Sequence, residues 1–253
     1  LAPKTAEKFE KLNLSTGKQF LVTSLCILIF GLVFCVPFFQ LIFWHFENIE
    51  FSLVKNLSLL YNSLIIGMCA AIVTVFFATS LSLSHRGTKK LRPMILISSS
   101  GYAIPGSVIA AGLLVVFVTT FNTSITLYGL FGLLLCLSLR FMTPAFNYIS
   151  SSLDNIPQSS EKALSTKPNN PYKAFTLFYL PQIKPAIFLS IMIVFIESIK
   201  EQPATLLLRP VGFDTLSTRI YNYTSEGQWE MAASPSLLLI LLSLVFVYLI
   251  NKN

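Results

Sequence analysis

Two carboxylates stand where a chain rich in hydrocarbon side chains would ordinarily have none. Glu197 and Glu201 lie four residues apart in the run Phe195-Ile-Glu-Ser-Ile-Lys-Glu-Gln-Pro-Ala-Thr205, and residues at that spacing share one face of a helix. Acidic side chains within a membrane span face an interior or an aqueous path and mark ion routes. Carboxylate oxygens suit a hard cation better than a soft one, so the two glutamates read as a translocation pathway and as a transient metal contact. The alternative is a structural ion pair between one glutamate and Lys200 or Arg140. A second candidate is Tyr102-Ala-Ile-Pro-Gly106, followed by Ala110-Ala-Gly112. A proline inside a span frees a backbone carbonyl, which is tolerated where protein or a water-filled path satisfies it. Pro105 and Gly106 therefore line the same route or mark a simple packing kink.

Motifs for other chemistry are missing. The sequence has no GxxxxGK[ST] phosphate loop, no HExxH and no GxSxG, so it reads as a transport subunit rather than an enzyme, with no cofactor of its own. Cys26, Cys35, Cys69 and Cys136 stand singly in apolar runs, without a CxxC, and are expected to pack in the core. His45 and His85 flank different spans, too far apart in the chain for a metal pair.

The elements that must position these residues are membrane spans. Of 253 residues 54% are hydrophobic and only 11% charged, against about a quarter charged in a soluble domain. The expected fold class is all-α, a polytopic membrane protein with six transmembrane helices, residues 20–253, after a mixed-charge cytoplasmic lead-in, residues 1–19. The apolar runs are Phe20–Phe43, Leu59–Leu83, Met94–Phe121, Ile125–Tyr148, Ala186–Leu207 and Leu237–Ile250. The last is short and is expected to begin within Met231–Ser236, with Pro235 in its first turn. Arg140 lies inside the fourth run, where burial costs roughly 2.5–3.5 kcal/mol unless the side chain snorkels or pairs; snorkelling to the inner surface is the cheaper expectation. Trp44-His45-Phe46 suits an interface.

The net charge of +7 follows topology rather than nucleic acid. Segments 1–19, 84–92 and 151–185 carry four lysines or arginines each and Lys252 adds one, so thirteen of the 18 fall on one side of the six-span pattern. The positive-inside rule places that side, with both termini, in the cytoplasm.

The longest polar interruption on that side runs from Asp154 to Pro185. Ser159 and Ser160 can cap a short helix beginning near Glu161. Pro168 and Pro171 stop it, and Asn169 and Asn170 supply the turn. A second amphipathic piece, Tyr172–Leu180, leads through Pro181 and Pro185 back into the membrane. The result is a helix-turn-helix knob able to carry force to a soluble partner.

Glu161-Lys162-Ala163 with Leu180-Pro181 resembles the EAA loop of binding-protein-dependent ABC transporter permeases. Lys162 replaces that family's first alanine and Lys167 its glycine. Pro181 falls one residue late, as if one residue were inserted in the Lys167–Pro171 turn. Further on, Lys200-Glu-Gln-Pro-Ala-Thr205, Leu208-Arg-Pro-Val-Gly-Phe-Asp-Thr-Leu216 and Arg219-Ile-Tyr221, with Tyr102–Gly106 and Asn62-Ser63, are similar to the ferric-iron type. The resemblance implies a permease of a bacterial inner membrane that imports Fe3+ delivered by a periplasmic binding protein. It implies two ABC ATPase subunits holding ATP and Mg, coupled through Glu161, Lys162, Ala163, Leu164, Lys167 and Tyr172. It also implies another six-span half, covalently fused, with this chain, opening on Leu1, as the second half. Thiamine, a phosphonate or a polyamine is the alternative cargo, and an ATP-independent channel the alternative machine.

Overall fold

The computed structural model describes residues 15–47, 52–87, 92–121, 125–157, 159–160 and 170–252, and no strand occurs among them. The helices are α1 (Thr16–Phe30), α2 (Val36–Glu47), α3 (Leu53–Gly87), α4 (Arg92–Ser100), α5 (Gly106–Phe121), α6 (Ile125–Asp154), α7 (Pro171–Ala174), α8 (Leu180–Lys200), α9 (Pro203–Leu208), α10 (Leu216–Ser225) and α11 (Trp229–Lys252). Among the described residues five helical stretches are long and apolar enough to cross a membrane: Thr16–Glu47, Val54–Arg86, Tyr128–Asp154, Tyr172–Lys200 and Trp229–Lys252. The apolar helix Gly106–Thr119 is shorter.

The core is a three-helix contact between α3, α6 and α8. Ala70, Ala71 and Ala78 of α3 are fully buried, and their small size lets the backbones approach, the main source of helix attachment in lipid. Thr74 and Thr79 sit among them because each hydroxyl donates to the carbonyl four residues back, at 2.6 and 2.7 Å. α11 joins α8 through stacked Phe195 and Phe246, 4.1 Å between centroids. α2 joins α11 through Trp44 on Trp229 and through His45 Nδ1, 2.9 Å from Ser234 Oγ. α1 has no buried residue and presents apolar side chains all round.

Among the described residues two helical turns are wide, and each centres on the residue that a proline leaves unbonded. The π turn Gly31–Cys35 joins α1 to α2, and the π turn Phe175–Tyr179 joins α7 to α8. Pro37 has no N–H for the carbonyl of Val33, nor Pro181 for that of Leu177. The backbone responds by shifting to i→i+5 bonding, with Val36 N–H on Gly31 O and Leu180 N–H on Phe175 O.

Several expected boundaries move. The third run is split: α4 ends at Ser100, residues 101–105 turn, and α5 starts anew. The fourth helix continues past Tyr148 to Asp154 with Pro144 inside it. Where the helix before Pro171 stops lies outside the described residues; Pro171 itself starts a helix, because Asn170 Oδ1 caps it by accepting from the amides of Tyr172 (3.0 Å) and Lys173 (3.3 Å). The helix then runs through Pro181 and Pro185 to Lys200, well before the expected Leu207. Pro203 sets that end: it takes the first position of α9. The last helix begins at Trp229, which puts Pro235 in its second turn rather than its first. Ser159 and Ser160 are already helical, so that helix begins before Glu161; Glu161, Lys162, Ala163, Leu164 and Lys167 lie outside the described residues. Of the four cysteines only Cys136 is buried; Cys26 and Cys69 are exposed and Cys35 half-buried, since much of a span's apolar surface faces outward.

Two glycines mark where backbone meets backbone. A Cβ on Gly101 would strike the carbonyl oxygen of Leu139, and one on Gly129 that of Leu208. Gly101→Ala and Gly129→Ala should each destabilise by about 1–3 kcal/mol, read as a lower thermal midpoint of the purified protein. Gly31→Ala, with open space around it, should show no loss.

Candidate functional site

Both helix interruptions meet at one point of α6. The turn 101–105 brings Gly101 onto Leu139, and Gly106, the first residue of α5, against the next side chain, Arg140. From the other side α8 ends, and Glu201 takes an extended backbone (φ −72°, ψ 110°). Its Oε1 lies 3.2 Å from Arg140 Nη1. A Cβ on Gly106 would collide with both Glu201 Oε1 and Arg140 Nη1, so glycine there is a condition for the pair to form. Cys136, one turn earlier, sits with Sγ 3.8 Å from the carbonyl of Gly106.

The freed backbone groups are re-bonded locally, as hydrocarbon requires. The carbonyl of Glu201 accepts from Thr205 Oγ1 at 2.7 Å and Ser217 Oγ at 3.4 Å. The carboxylate also receives Ala204 N–H at 3.5 Å, a long bond at the start of α9. Pro144 withholds the amide that would have bonded the carbonyl of Arg140. A third helix irregularity therefore coincides with the other two.

The structure changes the reading of the two glutamates. Glu201 is the residue immediately after α8, and the two carboxylates have different surroundings. Glu201 is 7% exposed and paired with Arg140, whereas Glu197 is 36% exposed and bonded to Lys200 Nζ at 2.8 Å. Arg140 pairs inside the protein instead of snorkelling. Among the described residues no group of three or more His, Cys, Asp or Glu side chains could hold a metal ion. Pro105 is exposed beside the pair, with Tyr102 and Ile104.

A further polar cluster joins segments that sequence analysis marked only by their resemblance to the ferric-iron type. Asp214 binds Arg209 through Oδ1 and Arg219 through Oδ2, the latter at 2.6 Å. Asn62 donates to the carbonyl of Asp214 at 2.9 Å, and Ser63 Oγ accepts the amide of Leu216 at 2.8 Å. Burial and the neighbouring Arg219 both lower the pKa of Arg209. The resemblance brought these residues forward without pairing them, since the Arg209–Asp214–Arg219 spacing carries no helical or strand period. At the opposite end of α3, Arg86 bonds the carbonyls of Leu153 and Ile156 and lies 3.7 Å from Asp154 Oδ1. It thereby fixes the point where the polar segment 154–185 departs. Tyr172, in that segment, is exposed.

Removing one member of a buried pair leaves the other uncompensated, a loss of about 3–5 kcal/mol. Arg140→Met should lower the thermal midpoint of the purified protein sharply, and Arg140→Met with Glu201→Met should recover much of it. Additive losses in the double variant would show that the two side chains do not depend on each other.

Comparison with known proteins bears on this arrangement. Residues 63–252 match the family model described as binding-protein-dependent transport system inner membrane component. The chain is 29% identical over 251 residues to the Fe(3+)-transport system permease protein FbpB 2 of Haemophilus influenzae, covering 95% of this chain and 48% of that relative. It thus spans about half the length of that curated relative. It is also 22% identical to a putative 2-aminoethylphosphonate transport system permease protein, PhnV, of Salmonella typhimurium, over 75% of this chain and 72% of the other. Among solved structures it resembles a bacterial alginate ABC transporter in complex with a pentasaccharide-bound periplasmic protein (TM-score 0.64, 17% identity, 93% and 94% of the two chains). It also resembles the MetNI methionine ABC transporter (TM-score 0.59, 18% identity, 80% and 97%). At those identities the likeness is one of fold. With three quarters of its length matched, the chain belongs to the family of binding-protein-dependent transport system inner membrane components.

Proposed function

We propose that this chain is one six-span half of the permease of an ATP-driven importer, and that its cargo is ferric iron delivered by an extracytoplasmic binding protein. The observation that carries the cargo is the placing of Glu197 and Glu201 at the end of a broken helix, beside the Pro105–Gly106 break. Oxygen donors at a helix discontinuity are how transporters commonly meet a coupled or carried cation. The ferric-permease relative, aligned across nearly the whole chain, supports the same cargo. In this reading α4, the turn 101–105 and α5 together make the third crossing. Both termini and the segment 154–185 face the cytoplasm. Glu161, Lys162, Ala163, Leu164, Lys167 and Tyr172 meet two ATPase subunits, which hold ATP and Mg. Closure of those subunits rocks this half against a second six-span half, fused to it in the full-length protein. The Asp214 cluster faces outward, toward the binding protein.

A phosphonate is the second reading, favoured by the relative named for aminoethylphosphonate and by a guanidinium, Arg140, at the centre of the site. Uptake into proteoliposomes holding the whole complex, binding protein and internal ATP separates the two. Labelled ferric iron should accumulate with ATP, and aminoethylphosphonate should not compete. Glu161→Lys should abolish uptake. Glu197→Gln with Glu201→Gln should abolish uptake and spare ATP hydrolysis. Normal iron uptake by that double variant would remove the glutamates from the pathway, and uptake of aminoethylphosphonate alone would replace the cargo.

A further inference from the structure

The site has a feature that a simple pair of acidic ligands would lack. Each of the two pathway carboxylates is already matched by a cation of the chain itself: Glu201 by Arg140 at 3.2 Å, Glu197 by Lys200 at 2.8 Å. Two carboxylates and two cations sum to no net charge. Bare paired carboxylates would bind a trivalent hard cation strongly, and a conducting site has to bind weakly enough to release. A cation that must compete with a tethered one meets such a site.

The geometry favours exchange at Glu201 in particular. Arg140 is the more exposed partner, 24% against 7%, so it is the member with room to withdraw while Glu201 stays. Glu201 is held from behind: the amide of Ala204 approaches its carboxylate, and its own carbonyl is fixed by Thr205. Arg140, by contrast, sits on a stretch of α6 that Pro144 deprives of one backbone bond. Lys200 stands on the last turn of α8 with its side chain 46% exposed, equally free to leave Glu197.

We propose that Arg140 and Lys200 are exchangeable counter-cations: they occupy Glu201 and Glu197 when the path is empty, give way to the cargo cation, and return to expel it. Both are positioning residues in this scheme, and it rests on the cation-import reading above. A guanidinium returning to Glu201 lowers the affinity for the cargo at the step where it must leave.

The test is the split between KM and maximal rate for ferric iron, delivered by its binding protein, in proteoliposomes of the whole complex. Arg140→Gln should lower KM about fivefold or more, the usual lower range for coupled ligands, and should lower the maximal rate, because cargo enters readily and leaves slowly. Arg140→Lys should restore both in part. Lys200→Gln alters the more exposed pair, where folding is not at stake, and should move KM and rate in the same directions. This variant decides the matter if Arg140→Gln does not fold. A fall in rate with KM unchanged, in Arg140→Gln or in Lys200→Gln, overturns exchange and leaves the ion pairs as braces. A wild-type complex that moves aminoethylphosphonate and no iron overturns the cation reading itself, an outcome distinct from iron uptake with an unaltered KM.

Discussion

A carboxylate withdrawn from water inside a membrane protein needs positive charge within reach, and Arg140 supplies it to Glu201. Much of the architecture follows from letting those two groups meet. α8 has to stop so that Glu201 can turn in, and Pro203 stops it. α5 has to begin next to Arg140 with no side chain in the way, and Gly106 provides the opening. The turn before α5 has to lie flat on α6, which Gly101 permits. Each interruption leaves polar backbone in an apolar setting, and nearby hydroxyls or helix starts take it up. The ion pair is thus the point about which two broken helices are registered against an intact one.

α3 connects that centre to both ends of the molecule. Its small residues bind it to α6 and α8 at mid-length. Near its first turns Asn62 and Ser63 hold the segment carrying Asp214. At its last turn Arg86 grips the end of α6. A displacement at Asp154 would therefore reach α3 and α6 together, and with them the Asp214 cluster toward the other end of α3. One rigid helix with a polar fastening at each end is a direct route for force across a membrane.

The spans were legible because long apolar runs in this composition admit little else. Their ends were less so. Asn170-Pro171 reads as a stop or as a start depending on whether the asparagine caps the next turn, and local sequence does not decide. The four-residue spacing of Glu197 and Glu201 does not show that the helix stops between Lys200 and Pro203, nor that one carboxylate is buried and the other half-exposed. The partner of Arg140 was visible as an option and no more, since pairing between distant parts of a chain depends on how helices pack. Single cysteines in apolar runs suggested a core, yet in a membrane protein apolar surroundings include lipid. The residues of the Asp214 cluster stood out by resemblance, but their pairing did not, because an irregular loop places its charges by turns, without any period to trace.

The wide turn at Phe175–Tyr179 also bears on the numbering of the polar segment. A π turn holds one residue more than the α turn it replaces, and Pro181 lies one residue later than the family pattern has it. The surplus need not sit in the loop before Pro171. A helix that swells for one turn can store an additional residue while the faces before and after it keep their directions. Aligning this chain with its relatives by unbroken helical periodicity through Phe175–Tyr179 would rotate every assignment on one side by a full residue. Aligning it with a gap inside the helix would not.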